Sequence, residues 1–146
     1  MSTSISVTIK HGKTKYVQGS FYSVKNEESF PYKSSYELAY LHQLEKNIEV
    51  LKYMYEPFDL YYRDVNQKQR IYKPDFMVLY QNGSIEITEV KPKIMSQDFD
   101  VQAKAKSCRE YIKEYYKDVE IQYRFITEKD LFNNDKEYQD FLKSIK

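Results

Sequence analysis

The chain has 146 residues, 41% hydrophobic and 31% charged, with a net charge of +1. That length supports one core and not two, so one domain over residues 1–146 is expected. The composition is that of a folded chain, and its near-neutral charge does not by itself point to nucleic acid.

No stretch approaches the ~20 apolar residues of a membrane span, and Met1-Ser2-Thr3-Ser4 starts no charged leader followed by an apolar run. A cytoplasmic chain with no membrane partner is therefore expected. The single cysteine, Cys108, leaves no internal disulfide, and a Cys-ligated zinc site would need more thiols or histidines than the chain has. Charge is uneven, however. Lys68, Arg70 and Lys73 precede Asp75, Lys91 and Lys93 follow Glu89, and Lys104, Lys106 and Arg109 cluster later.

In chain order, residues 1–30 alternate weakly at Ile5, Val7 and Ile9, then turn polar at Lys10-His11-Gly12-Lys13. This predicts a short strand or arm followed by an irregular lead-in. Ser34-x-x-Glu37 predicts a capping box and a helix ending near Asn47, with Glu37, Leu41, Leu44 and Ile48 on one face. Residues 49–63 read as strand material bent at Pro57, and residues 64–69 as a polar loop. One strand is predicted from about Ile71 to Tyr80 and a second from Ser84 to Lys91, stopped by Pro92. Asp98 is the expected N-cap of a helix to about Tyr116, with Val101, Ala105, Cys108, Ile112 and Tyr115 as its core stripe. Val119 to Ile126 reads as a strand and Asp130 to Ile145 as a closing helix. The sum is a small mixed α/β domain.

The register of the hairpin around Gln81-Asn82-Gly83 decides what shares a face. A two-residue turn would pair Leu79 with Glu86 and put Asp75 on the opposite face from Glu89. A three-residue loop with Gly83 left-handed pairs Leu79 with Ile85, Met77 with Ile87 and Asp75 with Glu89. Burying four large apolar side chains at ~1.5–3 kcal/mol each favours the second. One face then carries Met77, Leu79, Ile85 and Ile87 as an apolar floor, with Asp75, Glu89 and Lys91 at one end.

Facing carboxylates about 5 Å apart at Cβ repel each other unless a cation lies between them. Mg²⁺ suits such a pair, because it takes oxygen ligands and keeps waters and a substrate phosphate. The Val90 backbone carbonyl can be a further ligand, and Glu37 can ligate through a water or a second ion. Lys91 can orient or help deprotonate an attacking water, or stabilise a phosphate's developing charge. Each residue alone also has a structural reading: Glu37 as a cap, Pro74-Asp75 as a turn, Glu89-x-Lys91 as a surface pair. His11 and His42 read as ordinary polar residues, and Cys108 as a buried apolar packer.

At these residues the chain resembles the PD-(D/E)xK nuclease superfamily, and within it the TnsA-like endonucleases and the phage head-completion nucleases. The stretches that carry the likeness are Tyr32–Leu38, Tyr55-Glu56-Pro57-Phe58, Tyr72-Lys73-Pro74-Asp75-Phe76, Thr88-Glu89-Val90-Lys91-Pro92 and Ile126–Leu131. The resemblance implies a restriction-endonuclease-like central mixed sheet flanked by helices. It also implies Mg²⁺- or Mn²⁺-dependent DNA endonuclease activity, with Glu37, Asp75 and Glu89 as the acidic site residues and Lys91 as the catalytic lysine. The TnsA endonuclease of transposition, after which that group is named, has a glutamine where this chain has Glu89, so the chain stands nearer the ordinary superfamily pattern. Its length fits a stand-alone phage or mobile-element nuclease, cytoplasmic in the host or associated with the virion. Protein partners in a transposition, replication or virion-assembly complex, and a homodimer, remain open. The alternative is a head-completion, structural or DNA-binding module that keeps the nuclease fold with little turnover.

Overall fold

The computed structural model describes residues 6–10 and 14–145, with side chains from Val17 onward, and among these the chain's alternating and helical stretches form nine strands, four α-helices and one 3-10 turn. The region expected to be an irregular lead-in is instead an antiparallel sheet of β1 (Ser6–Lys10), β2 (Thr14–Ser23) and β3 (Glu28–Tyr32). Ile5 and His11-Gly12-Lys13 lie outside the described residues. This sheet is fastened by Lys25, whose ammonium donates to the carbonyls of Leu44 (3.1 Å), Val50 (2.6 Å) and Asn47. Leu44 and Asn47 lie at the end of α1 (Ser35–Lys46), where unpaired carbonyls favour a cation.

α1 starts as its sequence predicts: the Ser34 side chain accepts from the Glu37 N–H at 3.1 Å. The reciprocal half of the capping box differs. Glu37 Oε1 accepts from the Lys33 N–H (2.9 Å), one residue further back. Ile48 is not on the helix's buried face; it is 86% exposed, because the helix has already ended.

The central sheet has the order β4 (Val50–Tyr55), β7 (Phe76–Tyr80), β8 (Ile85–Val90), β9 (Ile121–Ile126). The first two pairings are antiparallel and β8–β9 is parallel. The crossover between β8 and β9 is α2 (Phe99–Tyr115), the β-α-β arrangement that a parallel pair requires. This is the mixed sheet with flanking helices of a restriction-endonuclease-like fold. The strand expected over 71–80 is broken in two. Pro74 cannot donate to a ladder, so β6 (Gln69–Tyr72) leaves the sheet and pairs with β5 (Leu60–Arg63) as a separate hairpin. The closing helix also divides, into α3 (Glu128–Leu131), capped by Thr127, and α4 (Asp135–Ser144), capped by Asn134.

The β7–β8 hairpin has the three-residue register: Leu79 pairs with Ile85, Met77 with Ile87 and Phe76 with Thr88. Gly83 has φ 90°, which only glycine adopts freely, and its N–H donates to the Tyr80 carbonyl. The depth of the two faces is the reverse of the expectation. Phe76 and Val78 are fully buried, with Thr88 and Val90 beside them. They meet α1, where the Tyr40 and Phe76 rings lie 5.3 Å apart. On the other face only Ile87 is fully buried, against Cys108 and Ile112 of α2, while Met77, Leu79 and Ile85 are half-covered. The expected stripe of α2 holds at Val101, Ala105, Cys108 and Ile112 but not at Tyr115, which is 64% exposed. His42 packs edge-on against Phe21 and Phe141, and Cys108 is a buried packer. Among the described residues no helix is long and apolar enough to cross a membrane.

Candidate active site

One step beyond the last paired residues of the hairpin, Phe76 and Thr88, come Asp75 and Glu89. The break that removes β6 from the sheet places Asp75 at the strand's start. Its carbonyl accepts from the Glu56 N–H (2.8 Å), tying it to the end of β4. Its carboxylate Oδ2 accepts from the Val90 N–H (2.7 Å). A strand residue's N–H and C=O point to the same side, so the Val90 carbonyl projects toward Asp75 as well.

Glu89 is buried and held from a different direction. The Tyr72 hydroxyl, at the end of β6, donates to Glu89 Oε1 (2.7 Å) and lies 2.8 Å from the Tyr123 hydroxyl of β9. Lys91 Nζ lies 3.9 Å from Glu89 Oε2, at the outer limit of an ion pair. The Lys91 backbone is fixed by its N–H to the Ile126 carbonyl (2.9 Å). Lys104 of α2 adds a second cation, its ammonium 5.6 Å from the centre of the Tyr72 ring.

The electrostatics of this corner favour protonation. Burial pushes the Asp75 carboxyl well above the usual range, and the charges of Glu89 and Glu37 add to it; the Val90 N–H and Lys91 oppose. Burial also raises Glu89, against the Tyr72 hydrogen bond and the charges of Lys91 and Lys104. Glu37 is raised by burial too, with its Lys33 N–H bond opposing and Glu89 contributing. Three carboxylates thus feel one another across the head of α1 and the start of the hairpin. Among the described residues, however, no three carboxylate, imidazole or thiol side chains are grouped closely enough to hold one ion together. The arrangement offers Asp75, Glu89 and the Val90 carbonyl as an oxygen donor set, with Glu37 further back on its own hydrogen bond.

Sequence reasoning assigned no role to Tyr72, Tyr123 or Lys104. Tyr72 stands directly before Lys73-Pro74-Asp75, and its closeness was the only local signal. Tyr123 faces Glu89 only through the parallel β8–β9 pairing, in which it lies opposite Ile87. Concave surfaces lie between the hairpin turn and β9, between β5 and α2, and between α1 and the α3–α4 segment. Glu89 is buried at this corner, while Asp75 and Lys91 are half-buried.

The family model described as TnsA-like endonuclease N terminal matches residues 47–128, which include Asp75, Glu89, Val90 and Lys91 and leave out Glu37. No curated protein matches the chain.

Proposed function

We propose that this chain, which belongs to the TnsA-like endonuclease N-terminal family, is a DNA endonuclease that hydrolyses phosphodiester bonds with Mg²⁺ or Mn²⁺. The observation that carries the reading is the Asp75–Glu89 pair. Two carboxylates at the start of the hairpin repel each other, one held by the Val90 N–H and the other by the Tyr72 hydroxyl, and burial raises the pKa of both. Such a pair is costly unless a cation joins it. The donors are all oxygen, which fits a hard divalent ion. Asp75, Glu89 and the Val90 carbonyl would hold it, with Glu37 reaching it through a water. When bound, the cation would supply Lewis-acid polarisation of the phosphate and a lowered pKa for a water.

The protein's own groups do the rest. Lys91 presents an ammonium beside Glu89, where it orients the attacking water and balances charge on the phosphate in the transition state. Tyr72 fixes the Glu89 carboxylate so that one oxygen is committed and the other faces Lys91. In this reading residues 1–146 work as one nuclease domain. A phage or mobile-element setting, with DNA as substrate and protein partners in transposition, replication or virion assembly, accompanies it.

The test is cleavage of supercoiled and linear DNA with Mg²⁺ or Mn²⁺. Nicking by the wild type and its loss in Asp75→Ala and Lys91→Ala are expected. Cutting retained by Asp75→Ala would sink the assignment. The absence of a three-ligand cluster among the described residues favours a second reading, a module that binds DNA without turnover. It predicts DNA binding and no cation-dependent cutting.

A further inference from the structure

The β5–β6 hairpin, expelled from the central sheet at Pro74, builds a second concave surface. Leu60 and Tyr72 bury against Cys108 and Ile112 of α2, so the alternate residues of the hairpin face outward. Between hairpin and helix lies a groove of about 580 Å³. Tyr61 and Phe99 line it while remaining 62% and 54% exposed. Arg63, Lys106 and Arg109 also line it, against one acid, Glu110. Exposed rings in a concave wall beside cations are what a chain of phosphates and flat bases requires.

The groove's Tyr62 is linked to the carboxylate pair through Lys104 and Tyr72. Tyr62 lines its inner wall, and the Lys104 ammonium sits 5.6 Å from the centres of both the Tyr62 and the Tyr72 rings. Tyr72 in turn donates to Glu89. Among the described residues Lys104 forms no ion pair closer than 4.0 Å, so its charge is available to an anion. Lys104 thus stands between the aromatic wall of the groove at Tyr62 and the Tyr72 ring that holds Glu89.

We propose that this groove holds an unpaired DNA strand leading away from the bond to be cut, its phosphates on Arg63, Lys104 and Lys106 and its bases on Tyr61 and Phe99. The inference rests on the nuclease reading for its choice of polymer. Duplex DNA presents phosphates but hides its base faces, so the exposed rings favour an unpaired strand. The preferred substrates become junctions, flaps or frayed ends.

The experiment measures fluorescence anisotropy of a labelled oligothymidylate and of a duplex of equal length, without divalent cation so that nothing is cut. Wild-type protein should bind the single strand more tightly. Tyr61→Ala/Phe99→Ala should weaken single-strand binding roughly tenfold or more and leave duplex binding unchanged. Lys106→Ala and Arg63→Ala should each reduce the slope of log affinity against log salt by about 0.7. Lys136→Ala, on the exposed face of α4, serves as the control, and melting curves verify that each variant folds. Unchanged single-strand affinity in the double variant overturns the proposal. So does equal preference for the duplex, or displacement by polyglutamate as effective as by oligothymidylate. Plasmid cleavage measured alongside separates the two readings. Cutting with unaltered binding in the double variant removes the groove and leaves the nuclease. Groove binding without any cutting leaves the groove and removes the nuclease.

Discussion

Glu45 and the Asp75–Glu89 pair are shielded carboxylates in one small fold, and their surroundings treat them oppositely. Glu45 accepts from the Tyr53 hydroxyl (2.6 Å), the Ser23 hydroxyl (2.8 Å) and the Lys25 N–H (3.0 Å). Burial raises its pKa, but those donors and the Lys25 charge outweigh it and hold the carboxyl below its usual range. Asp75 accepts from the Val90 N–H and Glu89 from the Tyr72 hydroxyl, but burial outweighs these bonds and both pKa values are raised. A carboxylate that joins three elements is satisfied by protein groups. A carboxylate pair left short of donors stores an electrostatic cost that a cation relieves.

The sharpest way to break this contrast is Asp75→Asn, which keeps the shape and removes the charge. Cleavage should fall about 10³-fold or more, read on plasmid DNA. The cation-free protein should melt higher than wild type at neutral pH. The sign follows from the raised pKa. Between the unfolded and folded pKa values of Asp75, the folded state holds more protons, so stability falls as pH rises through that window. Cation-free wild type should therefore lose melting temperature from mildly acid to neutral pH, and the variant should lose less. Added Mn²⁺ should restore the wild type and not the variant. A variant that melts lower than wild type at neutral pH would show that the pair is satisfied without a cation.

Tyr72→Phe comes next. It removes the Tyr72 hydrogen bond to Glu89 while keeping the ring under Lys104. Groups that orient a metal-site ligand typically matter by about 10–100-fold, and a loss of that size is expected in kcat, with KM for DNA little changed. An equal loss in binding would place Tyr72 in DNA contact instead.

How much of this was legible depended on the distance between cooperating residues. The hairpin register was readable because Asn82-Gly83 and the alternation from Met77 to Ile87 lie within a dozen residues and agree. The α1 start was readable from Ser34 and Glu37 for the same reason. The depth of the two hairpin faces was not, because it depends on whether α1 or α2 covers a face more completely. Tyr40 against Phe76 decided it. The break at Lys73-Pro74-Asp75 could have been suspected from Pro74, but the pairing of β6 with β5 leaves little local trace. Asp75, Glu89 and Lys91 were legible as types and spacing. The Tyr72 donor to Glu89 and the Tyr123 hydroxyl beside it were not, since they arrive from the expelled hairpin and across the parallel pair.

Glu45→Ala tests the other side of the comparison. It leaves the Tyr53 and Ser23 hydroxyls and the Lys25 N–H without their acceptor, which should cost about 1–3 kcal/mol in denaturant unfolding. Its pH dependence is opposite in sign to that of Asp75. A lowered folded pKa contributes stability above the unfolded pKa and loses it as pH falls through the folded value. The variant should therefore lack part of the wild type's acid-side loss, while its cleavage per folded molecule stays unchanged.

The smallest effect is expected at Glu86, on the same strand as Glu89 but at the hairpin's other end. It accepts from the Tyr80 hydroxyl at 2.6 Å and from Arg124 Nε at 3.1 Å. Arg124 is 43% exposed and also meets Asp130, so the ion pair is screened by water and salt. Glu86→Gln keeps an oxygen for Tyr80 and removes only the charge, so unfolding free energy should change by less than about 1 kcal/mol. Because Glu86 and Glu89 project to opposite faces of β8, cleavage should be unaffected. A folded Glu86→Gln protein that no longer cuts would show that the chemistry is not confined to the Pro74-Asp75 end, and the contrast between satisfied and unsatisfied carboxylates would lose its functional meaning.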